Sequence, residues 1–377
     1  MNNQTPATAT FWLRFISKIS IIIFYLSLIL TALYLPHLLE FIAPQKSLTV
    51  YAFTEMVSPA VAKEFEAKTG VPVNIKYFQT NEELHAKLSI SKGSGYDVIV
   101  ASDYIIESLI KEELLLPLER NKISNVPQLD QNLMNHFFDP NNRYSLPLAW
   151  YTYGIVFDKS LLTHADTVID LELLFNNPVD TFGRGITTNP YKICMFDDPR
   201  EAIMFASLYL FGTVKKASPQ DFELMEKTLI TQKKWIESYT SSSLQYFLFS
   251  GLCPVAITSS SYMKKILKIS DRFGFQIPLQ GSILVIDNLC ISAQSRNTEL
   301  AHQFINFVLS KDSAIANSST YGYNSSNVQA YQAADKAFLD NPHFFPNQEM
   351  FKKLHILRQE YFPKEVIEKI WLSVKFA

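Results

Sequence analysis

The chain lacks the short motifs that mark common enzyme classes. No GxSxG elbow, GxxxxGK(S/T) phosphate loop, HExxH zinc helix or GxGxxG dinucleotide turn occurs in its 377 residues, and the seven histidines are scattered without ligand spacing. Hydrolase and dehydrogenase chemistry is therefore disfavoured. Cysteine is scarce. Cys194, Cys253 and Cys290 are widely spaced, odd in number and free of any CxxC or Cys/His pattern, so neither a disulfide framework nor a zinc site is expected, and buried free thiols are. An excess of either charge is also missing. The 34 Lys and Arg stand against 36 Asp and Glu for a formal net charge of -2, and the basic residues are spread along the chain. That supplies no broad cationic field, so nucleic acid is not an expected partner.

What the sequence does have is apolar content. With 47% hydrophobic and 13% aromatic residues it can pack a core, and its length allows two domains. Near the N-terminus Arg14 and Lys18 precede a stretch, 19–39, with no Lys, Arg, Asp or Glu. A secretory apolar region is about 7 to 15 residues and a spanning helix roughly 20, so this segment reads as an anchor rather than a removed signal. No A-x-A-like cleavage site or lipoprotein cysteine follows it. The basic flank before it leaves the rest of the chain outside the cytoplasm. Pro36 and Pro44 mark a short connector, and the folded body is expected to begin near Ser47.

The body reads as alternating strands and helices. LTVYAF (48–53) is a β-rich run; Ser58 and Pro59 follow in N-cap and first-turn order, and Gly70 stands where the helix should stop. A second strand is expected over 73–78, then a T-x-x-E capping box from Thr80 to Glu83 opening a helix to about Ser91. DVIVA (97–101) is a third strand, apolar enough to be buried on both faces, with Asp103 opening the next helix. Such an order predicts a parallel sheet with right-handed crossovers. Ligands of open parallel sheets collect beyond the carboxyl ends of the strands, here at 53–56, at the Thr80 turn and at 102–104.

Three long stretches, LTVYAFTEMVSPAVAKEFEAKTGVPVNIKYFQTNEELHAKL, GSGYDVIVASDYIIESLIKEELLLPLE and FDPNNRYSLPLAWYTYGIVFD, together resemble the periplasmic spermidine/putrescine-binding proteins of ABC importers. Weaker echoes continue in FDDPREAI, in VIDNLCISA followed by ELAHQFINFVLS, and in YGYNSSNVQA, so the resemblance covers nearly everything after Ser47. It implies an α/β, two-lobed periplasmic-binding-protein-like fold with hinge crossovers, preceded by the N-terminal transmembrane or signal helix. Residues 1–46 would be the anchor or signal with its connector, 47–156 plus 286–332 lobe one, and 157–285 plus 333–377 lobe two. Hinge strands would lie at 150–157 and 286–291, with a third crossing near Tyr331. The implied function is capture without chemistry or cofactor: a polyamine or other small cationic solute is held between the lobes, then handed to an ABC permease in the membrane.

A polyamine needs carboxylates at its ammonium groups and flat or apolar surface along its methylenes. By resemblance, Asp198 and Glu201 of FDDPRE match the acidic pair that holds amino groups, although Asp198, Pro199 and Glu201 also spell a helix N-terminus without any ligand. Asp287 matches an ammonium-binding aspartate and sits inside an apolar run, 283–291, where an unpaired carboxylate is expensive. Ser102 and Tyr104 match hydrogen-bonding residues of the third-strand loop, and Tyr323 matches a further ring in the cleft.

Phe53 stands where the family commonly has tryptophan. Met56 replaces a usual tyrosine, and Thr258 and Val285 each replace a usual tryptophan. The acids are kept while much of the aromatic box is gone; Tyr151, Tyr153, Tyr246 and Tyr321 are candidate replacements. Adjacent tyrosines of the kind that bind iron are absent, and no metal site is expected. The alternative function is a membrane-anchored sensor or adaptor, or a binding protein for another small solute, that kept the fold and lost the polyamine cage.

Overall fold

The structure, a computed structural model, describes residues 7–42, 47–161, 169–176, 191–240 and 243–377. It divides into a short N-terminal unit and a compact body spanning Leu48–Ala377. The N-terminal unit is one helix, α1 (Ala7–Ile42), in which Ser17–Leu35 is long and apolar enough to cross a membrane and has its side chains exposed. The helix does not stop at Pro36 as expected but continues to Ile42. One proline removes a single backbone bond, and the apolar run carries on beyond it. The part of the expected connector at Pro44 lies outside the described residues, as does the side chain of Arg14.

The body opens with β1 (Leu48–Phe53), α2 (Pro59–Thr69), β2 (Val73–Phe78), α3 (Asn81–Ser91), β3 (Val98–Ser102) and α4 (Asp103–Lys111). The local signals act as their chemistry predicts. Ser58 Oγ accepts from Val61 N at 3.2 Å, Gly70 closes α2 at φ 71°, and Thr80 Oγ1 accepts from Glu83 N at 3.1 Å. The third strand is shifted by one residue from the expected span. Asp97 precedes it, its carboxylate accepting from Thr49 N at 2.8 Å, and Ser102 ends it. Asp103 is consequently the first residue inside α4 rather than its cap, which frees its carboxylate for another strand.

Beyond α4 come β4 (Leu115–Leu116), β5 (Ser145–Asp158), α5 (Glu172–Phe175), β6 (Ile193–Met195), α6 (Pro199–Phe211), α7 (Pro219–Gln232), β7 (Ile236–Tyr239), α8 (Leu244–Phe249), β8 (Val255–Ser259), β9 (Phe273–Gln276) and β10 (Ser282–Ser292). The sheet runs β2-β1-β3-β10-β5-β8-β6-β7. The β2-β1-β3 end is parallel, as expected, and the β8-β6-β7 end is parallel too, but β10 is antiparallel to both β3 and β5. The sheet is therefore mixed, a late segment of the chain having been inserted at its centre.

That insertion makes the two-lobed fold. Residues 145–152 of β5 pair along β10, whereas 153–158 pair with β8 and β9, so one strand serves two groups of strands. One apolar cluster gathers Val50, Val98, Leu289 and Phe304; another gathers Ile155, Ile193, Phe205 and Ile257. Gly154, where β5 changes partners, is close-packed: a Cβ there would meet the Phe275 ring at 2.5 Å and Gln276 O at 2.8 Å, so any side chain would push β9 away.

Candidate functional site

The carboxyl ends of β1 and β3 and the N-terminus of α3 face the N-terminus of α6 across β10 and enclose a cavity of about 310 Å³. Eight of the ten residues proposed from sequence line it: Phe53, Met56, Ser102, Tyr104, Asp198, Glu201, Val285 and Asp287. Two do not. Thr258 lines a separate space of about 120 Å³ with Tyr153 and Tyr262, reaching the main cavity's wall only beside Glu201. Tyr323 is buried, donates from its hydroxyl to Met56 O at 2.9 Å and lines a neighbouring space with Tyr321, so it holds the wall from behind. Of the candidate replacement rings, Tyr151 lines the cavity, while Tyr246 is exposed on the surface.

Asp287 sits at an interruption of the central ladder: it lies opposite Ser102 of β3, and the register of β10 against β5 slips between Asp287 and Asn288. Only 2% of it is exposed, and its Oδ2 has no hydrogen-bond partner among the described residues. Burial lifts its pKa to about 7. Asp103, missed as a site residue because it read only as a helix opener, accepts from Ile286 N at 2.9 Å. Burial raises it well above the usual carboxylate range against the opposing pull of that N–H, and the neighbouring Asp287 charge adds to the rise.

On the other wall, Asp198 caps α6, accepting from Arg200 N at 2.8 Å and Glu201 N at 3.4 Å. The helix-start pattern is thus real but only half used, because Glu201 turns away and accepts from the Tyr153 hydroxyl. Burial, and then the Asp198 charge, push Glu201 up to about 8. Arg200 lies between these two acids in the sequence and was overlooked. Its Nη2 is 2.7 Å from Asp198 Oδ2, its Nη1 is 2.7 Å from Glu82 Oε1 on α3, and its guanidinium stands 4.5 Å from the centre of the Tyr104 ring. Burial alone would lower this guanidinium, but its bonds to Asp198 and the charges of Asp198 and Glu82 hold it above its ordinary value. Part of the signal was present in FDDPRE, where Asp198 stands two residues before the arginine, but Glu82 lies far away in the sequence.

The cavity thus holds four carboxylates, Asp103, Asp198, Glu201 and Asp287, against one guanidinium, a surplus of three negative charges when all are ionised. Burial raises Asp103, Glu201 and Asp287, so it disfavours having the whole surplus ionised at once. Phe53, Tyr104, Tyr151 and Val285 supply apolar wall between the charges. Among the described residues no group of His, Cys, Asp or Glu is arranged to hold a metal ion. Four carboxylates spaced along an apolar wall make the cavity electrostatically complementary to a small body with separated positive charges.

A family model described as bacterial extracellular solute-binding protein matches residues 60–346. The spermidine/putrescine-binding periplasmic protein 1 of Haemophilus influenzae is 26% identical over 83% of the chain and 84% of the relative's length. The putrescine/cadaverine-binding protein of Pseudomonas aeruginosa is 26% identical over 88% of the chain and 94% of its own length. Among solved structures, a spermidine/putrescine ABC transporter substrate-binding protein from Streptococcus pneumoniae superposes with a TM-score of 0.74 at 24% identity, covering 88% of this chain and 99% of that one.

Proposed function

Because this chain belongs to the bacterial extracellular solute-binding proteins, a non-enzymatic family that serves ABC transport, we propose that it captures a linear diamine or polyamine in the cavity between β10 and α6. The observation that carries the proposal is Asp287, a buried carboxylate with an unpartnered oxygen on the wall of a cavity holding three further acids. A desolvated ammonium is tolerated only beside such a partner. One end of the ligand pairs with Asp287 and Asp103; the other faces Glu201, with Tyr104, Tyr151 and Phe53 along the methylenes. The relatives named for spermidine, putrescine and cadaverine support this ligand class.

The proposed lobes, 47–156 with 286–332 and 157–285 with 333–377, close on the ligand about β5, the strand that serves both groups, with β10 beside it. The closed form then docks on an ABC permease. The apolar stretch Ser17–Leu35 holds the protein to the membrane with its body outside the cytoplasm. Arg200 favours a second reading, because a guanidinium already paired with Asp198 substitutes for one ligand ammonium and offers a donor to a carboxylate. The ligand would then be a solute carrying one ammonium and one carboxylate.

Isothermal titration calorimetry on the full chain in detergent decides between them, using putrescine, spermidine, spermine and a linear ω-amino acid, each repeated on Asp287→Asn. Saturable one-to-one polyamine binding that the variant loses is the expected result. Heat with the ω-amino acid alone moves the assignment to the second reading, and silence with every polyamine from folded protein sinks the first.

A further inference from the structure

We propose that Cys194 and Cys253 are joined by a disulfide in the mature protein, with Cys290 left as its single free thiol. The three cysteines looked unrelated in sequence, but the fold brings two of them together. Cys194 on β6 lies opposite Ala256 of β8 in a parallel ladder, and Cys253 stands in the turn that feeds β8. Their sulfurs are 2.7 Å apart. That is well inside the contact distance of unbonded sulfurs, and although the two stand as free thiols in this structure, closing the gap to the roughly 2.05 Å of a disulfide needs only a small side-chain movement. Both are buried in one apolar cluster with Val156, Leu248 and Phe273, whereas Cys290 belongs to a different cluster around Ile99 and Leu109. The family's extracellular location places this pair where disulfides form and persist.

The chemistry is thiol–disulfide exchange with a disulfide-bearing oxidant outside the cytoplasm. One cysteine thiolate attacks a sulfur of the oxidant and breaks its S–S bond. The second cysteine then displaces the oxidant from that mixed disulfide. The new S–S bond forms in the protein, and the oxidant leaves as a dithiol carrying the two electrons and two protons. In the folded chain the mutual contact with Cys253, together with burial, pushes the Cys194 thiol up, so its thiolate is scarce once the core has closed. Exchange accordingly belongs to the folding chain. Asp198 follows closely after β6, so the bond ties the acid-bearing start of α6 to the turn before β8.

The test uses the full chain, exported by its own N-terminal segment and taken from molecules that protease reaches from outside the cytoplasm. It is alkylated with a maleimide in denaturant before any reduction, then mapped by peptide mass. The expected map has Cys290 alone alkylated and a linked peptide pair containing Cys194 and Cys253, lighter by two hydrogens than the reduced pair. Reductant should lower the wild-type melting temperature by roughly 5 °C or more and leave a Cys194→Ala, Cys253→Ala double variant unmoved. Three alkylated cysteines, or a linked peptide containing Cys290, overturns the proposal whatever the melting curves show.

Discussion

Asp287 and Asp198 face the same cavity, yet the fold neutralises them by opposite means. Asp287 lies at a bulge in the central strand, has one oxygen without a partner and is kept near neutral by a proton, its pKa lifted by burial to about 7. Asp198 sits at a helix N-terminus, takes two backbone N–H bonds and is matched by the guanidinium of Arg200. A proton is displaced easily by an arriving cation, whereas a tethered arginine is not. On the proposed polyamine reading, the strand wall is consequently the half of the cavity with a carboxylate in reserve, and the helix wall has spent much of its own internally.

The sharpest way to break this comparison is Asp287→Asn. Diamine affinity should fall by roughly 100-fold or more in calorimetry, a few kcal/mol for a buried charge pair. The unliganded protein should respond the other way. A carboxyl whose folded pKa is raised from 3.8 to about 7 contributes stability below about pH 4 that is lost as pH rises through 7. The variant should therefore melt higher than wild type at pH 8, by the equivalent of about 2 to 4 kcal/mol, and match it near pH 4. Equal melting at both values would show that Asp287 is not held protonated.

Next in size is the pH dependence of binding. With Asp287 titrating near 7 and Glu201 near 8, a dication that binds both ionised forms should lose affinity by roughly 500-fold between pH 8 and pH 6, and by about 10- to 50-fold if it needs only one of them. Binding at pH 7 should release protons, visible as a heat that changes with the buffer's own ionisation enthalpy. A flat profile would place the ligand away from these two carboxylates.

Arg200→Gln tests the other wall. Freeing Asp198 should shift the spermine-to-putrescine affinity ratio upward by about tenfold, because a third ammonium gains a partner. The smallest effect belongs to Glu82→Gln. The Arg200–Glu82 bridge involves a carboxylate that is 45% exposed, so its loss should change affinity by less than about fivefold and fade further at high salt. A larger effect would give this bridge a part in holding the cavity shut.

Much of this was legible along the chain. The caps at Ser58, Thr80 and Asp198, the buried strand near Val98–Ser102 and the apolar N-terminal segment are local patterns, set by hydrogen bonds and burial within a few residues. An acid inside an apolar run is likewise visible, which is how Asp287 drew notice. Three other outcomes were not local. Asp103 became a wall residue because β10 inserted beside β3 and gave its carboxylate the N–H of Ile286 to hold. Arg200 reaches Glu82 across more than a hundred residues of chain. Cys194 meets Cys253 only because β6 and β8 share a ladder. The sequence alone determined which residues could start helices, fill strands and carry charge, since those properties depend on side chains and near neighbours. Only the tertiary structure decided which carboxylate keeps a proton, which keeps an arginine and which sulfurs touch, because these depend on burial and on distances between residues far apart in the chain.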